Sequence, residues 1–131
     1  MKKTVIIALL ACIGLSIHAC KKGPGEGGRA SIRGKVFLTE FNSSGIPVDS
    51  FYVPEHRVYL IYGDDPSFSE EVRTNFDGTY VFEYLLPGDY KVFTYSECKD
   101  CSGDVEAVLT PVEINGKKEN KELEDLRIAE Y

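Results

Sequence analysis

The chain has 131 residues, with 21 acidic against 15 basic side chains, a net charge of −6, eight tyrosines, seven phenylalanines and no tryptophan. That length holds one domain with a modest core. The acidic balance argues against nucleic acid and against anionic lipid headgroups as direct partners, since both are drawn to basic surfaces.

The first element in chain order is Lys2 and Lys3 followed by an almost unbroken apolar run from Thr4 to Ile17. It is long enough for a secretory signal and too short to span a bilayer comfortably, so residues 1–19 are expected to be a signal peptide. Its end, "LSIHAC", sets Ala19 directly before Cys20 and resembles the lipobox of bacterial lipoproteins, departing from it at Ile17 and His18. The resemblance implies that Cys20 is the lipidated first residue of the mature chain and that acyl chains hold it at the membrane. Residues 20–29, "CKKGPGEGGR", read as the lipidated cysteine and a flexible tether, and residues 30–131 as the domain. Lys21 and Lys22 stand where some surface-exported Gram-negative lipoproteins carry acidic residues, which points to a periplasm-facing place in the cell envelope.

Beyond the tether, apolar and polar residues alternate in short runs broken by Gly, Pro, Asp and Asn, the period-2 signature of strands. The runs are Ser31 to Thr39, Arg57 to Tyr62, Glu70 to Phe76, Thr79 to Leu85, Asp89 to Glu97, Glu106 to Ile114 and Leu123 to Glu130. Seven short strands predict an all-β, antiparallel Greek-key sandwich. Asp77-Gly78 supplies the positive φ of a tight turn, and Pro87-Gly88 presets another. Tyr80 and Phe82 before the second turn, and Tyr90 and Val92 after it, are expected to fill one sheet face twice.

Gly78, Tyr80, Phe82, Leu85, Pro87, Gly88, Tyr90 and Val92 follow the spacing G-x-Y-x-F-x-x-L-x-P-G-x-Y-x-V. In this the chain resembles the transthyretin-like (prealbumin-like) sandwich domains, which include the carboxypeptidase regulatory-like and Cna-B-like families. "RGKVF" at Arg33 is similar to their first strand, "GIPV" at Gly45 to their G-x-P turn and "RVYLIY" at Arg57 to their second strand. The resemblance implies the fold and says little of function, because such domains serve as spacers, adhesin stalks and accessory modules. The connection "VDSFYVPEHR" from Val48 to Arg57 is longer than the resemblance implies and reads as an apolar loop, either a lid on the sandwich end or a binding loop.

Chemistry is sparse. His56 is the one histidine beyond the signal, and no nucleophile, base and acid set assembles around it, so no enzymatic activity and no cofactor is expected. Cys98 and Cys101 lack the further ligands that zinc needs and the helix start that a thioredoxin-type pair needs. They are expected to form a short loop disulfide. Asp64 and Asp65 sit in a turn and lack the spaced ligands of a calcium loop, so no metal site is expected. The isopeptide bond of some Cna-B-like domains would need Lys35, Glu83 and Asn120 turned inward, and strand parity turns Lys35 and Glu83 out.

One surface feature points to a partner. Tyr59 and Ile61 alternate against inward Val58, Leu60 and Tyr62, and Phe93 and Tyr95 against inward Tyr90 and Val92. In the transthyretin-like arrangement those two strands are neighbours, so the four outward residues would form one apolar patch, bare or covered by the loop carrying Phe51 and Tyr52. Tyr59, Ile61, Phe93 and Tyr95, with Phe51 and Tyr52 of the loop, are therefore the candidate partner-binding residues. The expected role is a non-catalytic structural or protein-interaction module of the envelope. The alternative is a glycan-binding accessory lipoprotein, with tyrosines stacking on sugars.

Overall fold

A computed structural model describes residues 22–131. The signal peptide expected over residues 1–19 and the lipidation site expected at Cys20 lie outside the described residues. The described chain forms nine strands and no helix: β1 Glu26–Phe41, β2 Pro47–Tyr52, β3 Arg57–Tyr62, β4 Glu70–Arg73, β5 Thr79–Leu85, β6 Gly88–Glu97, β7 Val105–Ile114, β8 Asn120–Glu122 and β9 Leu126–Glu130.

The strands make two sheets. Sheet I is built on β1, whose first half pairs with β5 and β8 and whose second half pairs with β2 and β9. Val36 donates its N–H to Gly78 and accepts from Val53. Both groups of one strand residue point the same way, so β5 and β2 adjoin end to end along one edge of β1. Sheet II is antiparallel throughout, in the order β4-β3-β6-β7. The inward residues of both sheets meet in one core, including Ile32, Val36, Val58, Leu60, Tyr80, Phe82, Leu85, Tyr90, Val92, Ile114 and Leu126.

The all-β, two-sheet architecture is the expected one, and several details differ from expectation. There are nine strands, not seven. Sheet I is mixed, because β8 and β9 return from sheet II and lie parallel to β1. Pro87-Gly88 does not turn a hairpin: it joins β5 of sheet I to β6 of sheet II, so Tyr80 and Phe82 fill one inner face and Tyr90 and Val92 the opposed one. The connection read as an apolar loop contains β2, an edge strand exposed on both sides.

β1 begins at Glu26, inside the segment 20–29 expected to be a flexible tether, and Gly25 before it is fastened. The Tyr90 hydroxyl accepts the Gly25 N–H at 2.9 Å and donates to the Leu86 carbonyl at 2.5 Å, while Leu86 N–H donates to the Gly25 carbonyl at 2.8 Å. Burial of a tyrosine is tolerable when its hydroxyl finds such partners. Tyr80 obtains its space differently. It faces Gly34 across the β1–β5 ladder, and a Cβ at position 34 would stand 2.5 Å from its hydroxyl.

Candidate interaction surface

In register, Tyr59 of β3 lies opposite Phe93 of β6, which lies opposite Leu109 of β7, and Tyr95 lies opposite Ala107. Strand parity turns all of these to the outer face of sheet II, away from the core. Tyr59 and Phe93 stack with centroids 5.0 Å apart and rings 18° from parallel. Tyr95 closes edge-on against both, at 5.7 Å from Tyr59 and 5.6 Å from Phe93. Phe68, from the β3–β4 connection, leans on the other side of Tyr59 at 4.8 Å. Sequence parity could not include Phe68, because a loop residue has no face until the chain has folded.

The structure therefore brings Tyr59, Phe93 and Tyr95 together. Exposure differs within the group: Tyr95 is 51% exposed and Phe68 49%, whereas Phe93 is only 8% exposed. Phe93 is not a surface residue as expected, since the neighbouring rings cover it. Ile61 stands at the margin, half-buried opposite Lys91, whose ammonium reaches Asp64 at 3.2 Å.

Phe51 and Tyr52 do not belong to this face. They lie in β2 of sheet I and cannot cover Tyr59 or Phe93. Phe51 pairs with Leu38 at the core side of the sheet margin. Tyr52 packs on the outer side, edge to face with Phe37 at 5.2 Å and under the Lys35 ammonium at 4.6 Å. Its hydroxyl donates to Asp125 at 3.0 Å, and that hydrogen bond to a carboxylate raises the phenol above its ordinary range.

The remaining polar residues serve the fold. Thr94 donates to the Arg57 carbonyl at 2.7 Å, and its oxygen lies 2.8 Å from Nε2 of His56. Burial lowers the His56 pKa, because desolvation disfavours the imidazolium. Its backbone N–H donates to Thr74 at 2.9 Å, and Thr74 donates to the Val53 carbonyl at 2.6 Å. These bonds tie the β2–β3 connection to β6 and to the residue after β4.

Cys98 and Cys101 carry free thiols, and the expected disulfide is not formed in the structure. Backbone bonds close the turn without it, from Cys98 N–H to Asp104 at 3.0 Å and from Asp104 N–H to Cys101 at 3.4 Å. The Cys101 thiol is pushed up to about 11 by its hydrogen bond with the Cys98 thiol, then by burial and by nearby carboxylates. No cluster of metal-ligating side chains occurs among the described residues.

No protein-family model matches the chain, and no curated protein matches its sequence. Among solved structures, the chain is similar to a "putative carbohydrate binding protein" from Pseudomonas aeruginosa, at 16% identity over 86% of this chain and 94% of that one, with a TM-score of 0.48.

Proposed function

We propose that the protein is a non-catalytic interaction module of the bacterial cell envelope, anchored through acyl chains on Cys20, facing the periplasm and binding a protein partner with the outer face of β3 and β6. The observation that carries this reading is the contiguous aromatic group on the outer face of sheet II, in which Tyr95 and Phe68 are exposed around Tyr59 and a buried Phe93. Rings exposed as one contiguous apolar patch cost solvation free energy until something covers them, and large rigid aromatics are favoured anchors at protein interfaces. The chain is read further as a transthyretin-like Greek key. That is supported by the pairing of β3 with β6, the two strands which the resemblance makes neighbours. In the oxidising envelope, an external disulfide exchanges with Cys98 and Cys101, taking up their two electrons and two protons and leaving them joined across a turn that backbone bonds already close.

A photo-crosslinking residue at position 95 tests the reading. It should trap one envelope protein in cells, while the same residue at position 83, on the outer face of sheet I, should not. Loss of every specific adduct at 95 overturns the reading. Saturable polysaccharide binding by soluble protein starting at Lys22, removed by Tyr95→Ser, would put a glycan in the partner's place.

A further inference from the structure

Sheet II ends on one side at β4 and on the other at β7, and the two edges are protected very differently. β4 is four residues long, and three of them, Glu70, Glu71 and Arg73, are charged. Short charged edges resist the addition of another strand. β7 is ten residues long, pairs with β6 without a bulge and contains no lysine or arginine.

The direction of its free hydrogen-bonding groups follows from two residues. The Asp104 carbonyl accepts from Cys98 N–H, so position 104 faces β6. Direction alternates along a strand, so Glu106, Val108 and Thr110 also face β6, while Val105, Ala107, Leu109 and Pro111 face away. Pro111, which has no N–H, falls in the outward set, where a strand tolerates proline. Between Val105 and Leu109 there is no proline, bulge or basic side chain, and Glu106 is the one charged residue. The side chains of Val105, Ala107 and Leu109 also lie on the aromatic face, and Val105 and Leu109 are about half exposed. A strand added here would extend both the backbone ladder and the apolar face.

We infer that the Val105 to Leu109 edge of β7 takes an extended segment of a protein partner as a fifth strand, with apolar residues beside Ala107 and Leu109 and basic residues opposite Glu106. The inference rests on the reading of sheet II as a partner-binding face. Charge selects the occupant. The strand carries Glu106 and Glu113 and no cation, and the adjoining turn adds Asp100 and Asp104. Lys99 in that turn points to the Ser43 carbonyl, 3.4 Å away. A second copy paired antiparallel about Ala107 would set the two Glu106 side chains diagonally on one face, where like charges repel.

A short synthetic peptide of alternating valine and lysine is the probe, added to the purified protein and followed by amide hydrogen exchange. In the free protein the amides of Val105, Ala107 and Leu109 should exchange fast and those of Glu106, Val108 and Thr110 slowly. The peptide should slow the first set by about tenfold or more, and a valine and glutamate peptide should not. Ala107→Pro removes an N–H that the domain does not use and should weaken peptide binding by about tenfold, with the slow amides unchanged. Should that variant fail to fold, Leu109→Lys supplies an edge cation and should weaken binding similarly.

Three results overturn the inference: no protection by the valine and lysine peptide, equal binding of the glutamate peptide, or protection in the free protein that rises with its concentration, which would make a second copy the occupant. The two readings separate cleanly. Adducts at position 95 without protection at 105, 107 and 109 remove the edge and leave the face. Protection without adducts leaves the edge and removes the face.

Discussion

On the outer face of sheet I, Phe37 and Tyr52 meet edge to face, and each ring lies under a cation, Lys35 at 4.6 Å from the Tyr52 centroid and Arg127 at 5.3 Å from that of Phe37. On the outer face of sheet II, Tyr59, Phe93, Tyr95 and Phe68 contact one another, and among the described residues no cation lies over any of them. Long basic side chains spread their methylenes over apolar surface while the charged head stays in water. On sheet I the Phe37 and Tyr52 rings are thus shielded by basic side chains. The sheet II rings have no such cover, and aromatic content alone would not have separated the two groups.

Five measurements bear on that contrast and on the fold behind it. The largest effect is expected at Phe82, which is 1% exposed in the core that both sheets share. Phe82→Ala should cost about 3–5 kcal/mol, most of the stability of a small domain, read as a collapse of the urea midpoint. Phe93→Ser should come next, at about 1.5–3 kcal/mol, because the ring is buried by its outer neighbours. Tyr95→Ser, half exposed beside it, should stay within about 0.5 kcal/mol. Equal midpoints for the two serine variants would mean that the outer rings do not shelter Phe93.

On sheet I, Lys35→Ala uncovers Tyr52 and breaks the 3.9 Å pair with Asp77. Its stability cost should be only about 0.5–1 kcal/mol, with new binding of a hydrophobic dye to that face as the more telling signal. If the dye binds no better than to the unaltered protein, the cation is not what distinguishes the faces.

The smallest effect concerns the crossing from β7 to β8. Glu119 accepts the Asn115 N–H at 2.7 Å and the Gly116 N–H at 2.9 Å, and pairs with Lys121 at 2.9 Å. The Gly116 hydrogen bond first, then the Lys121 bond and the Asn115 N–H, hold its carboxyl at about 2, below the ordinary 4.5. A depressed carboxyl contributes stability that is complete above the unfolded value and lost as pH falls through the folded one. The contribution should therefore be full above pH 4.5 and fade towards about 2. A carboxyl NMR titration with a midpoint near 4.5 would contradict the loop geometry.

Much of this was legible before folding. The alternation around the two turns identified Tyr80, Phe82, Tyr90 and Val92 as inward, and each is at most 1% exposed. A face-selective alternation is a local property, and those segments carry it. β2 was missed for the complementary reason. All six of its residues are exposed, so "PVDSFY" has no alternation to read. Which sheet each strand joins is non-local, which is why Pro87-Gly88 looked like a hairpin turn and is a crossing between layers. The candidate face was partly legible: parity and register brought Tyr59, Phe93 and Tyr95 together, but that the rings of Tyr59 and Tyr95 close over Phe93 is a matter of side-chain packing, which parity does not set.

The Gly25 clamp bears on how the domain would answer a mechanical pull. β9 runs parallel to β1, so the described chain enters at one end of sheet I and leaves at the other. Tension between an attachment at the N-terminal side and a partner elsewhere on the domain must first pass Gly25, which Tyr90 and Leu86 bind from sheet II and the crossing. It then enters β1, which has partners on both edges from Ser31 onward. Pulling along such a strand loads its ladder bonds together in shear, whereas peeling would break them one at a time. The domain is thereby placed to stay folded under a pull that would unzip a hairpin.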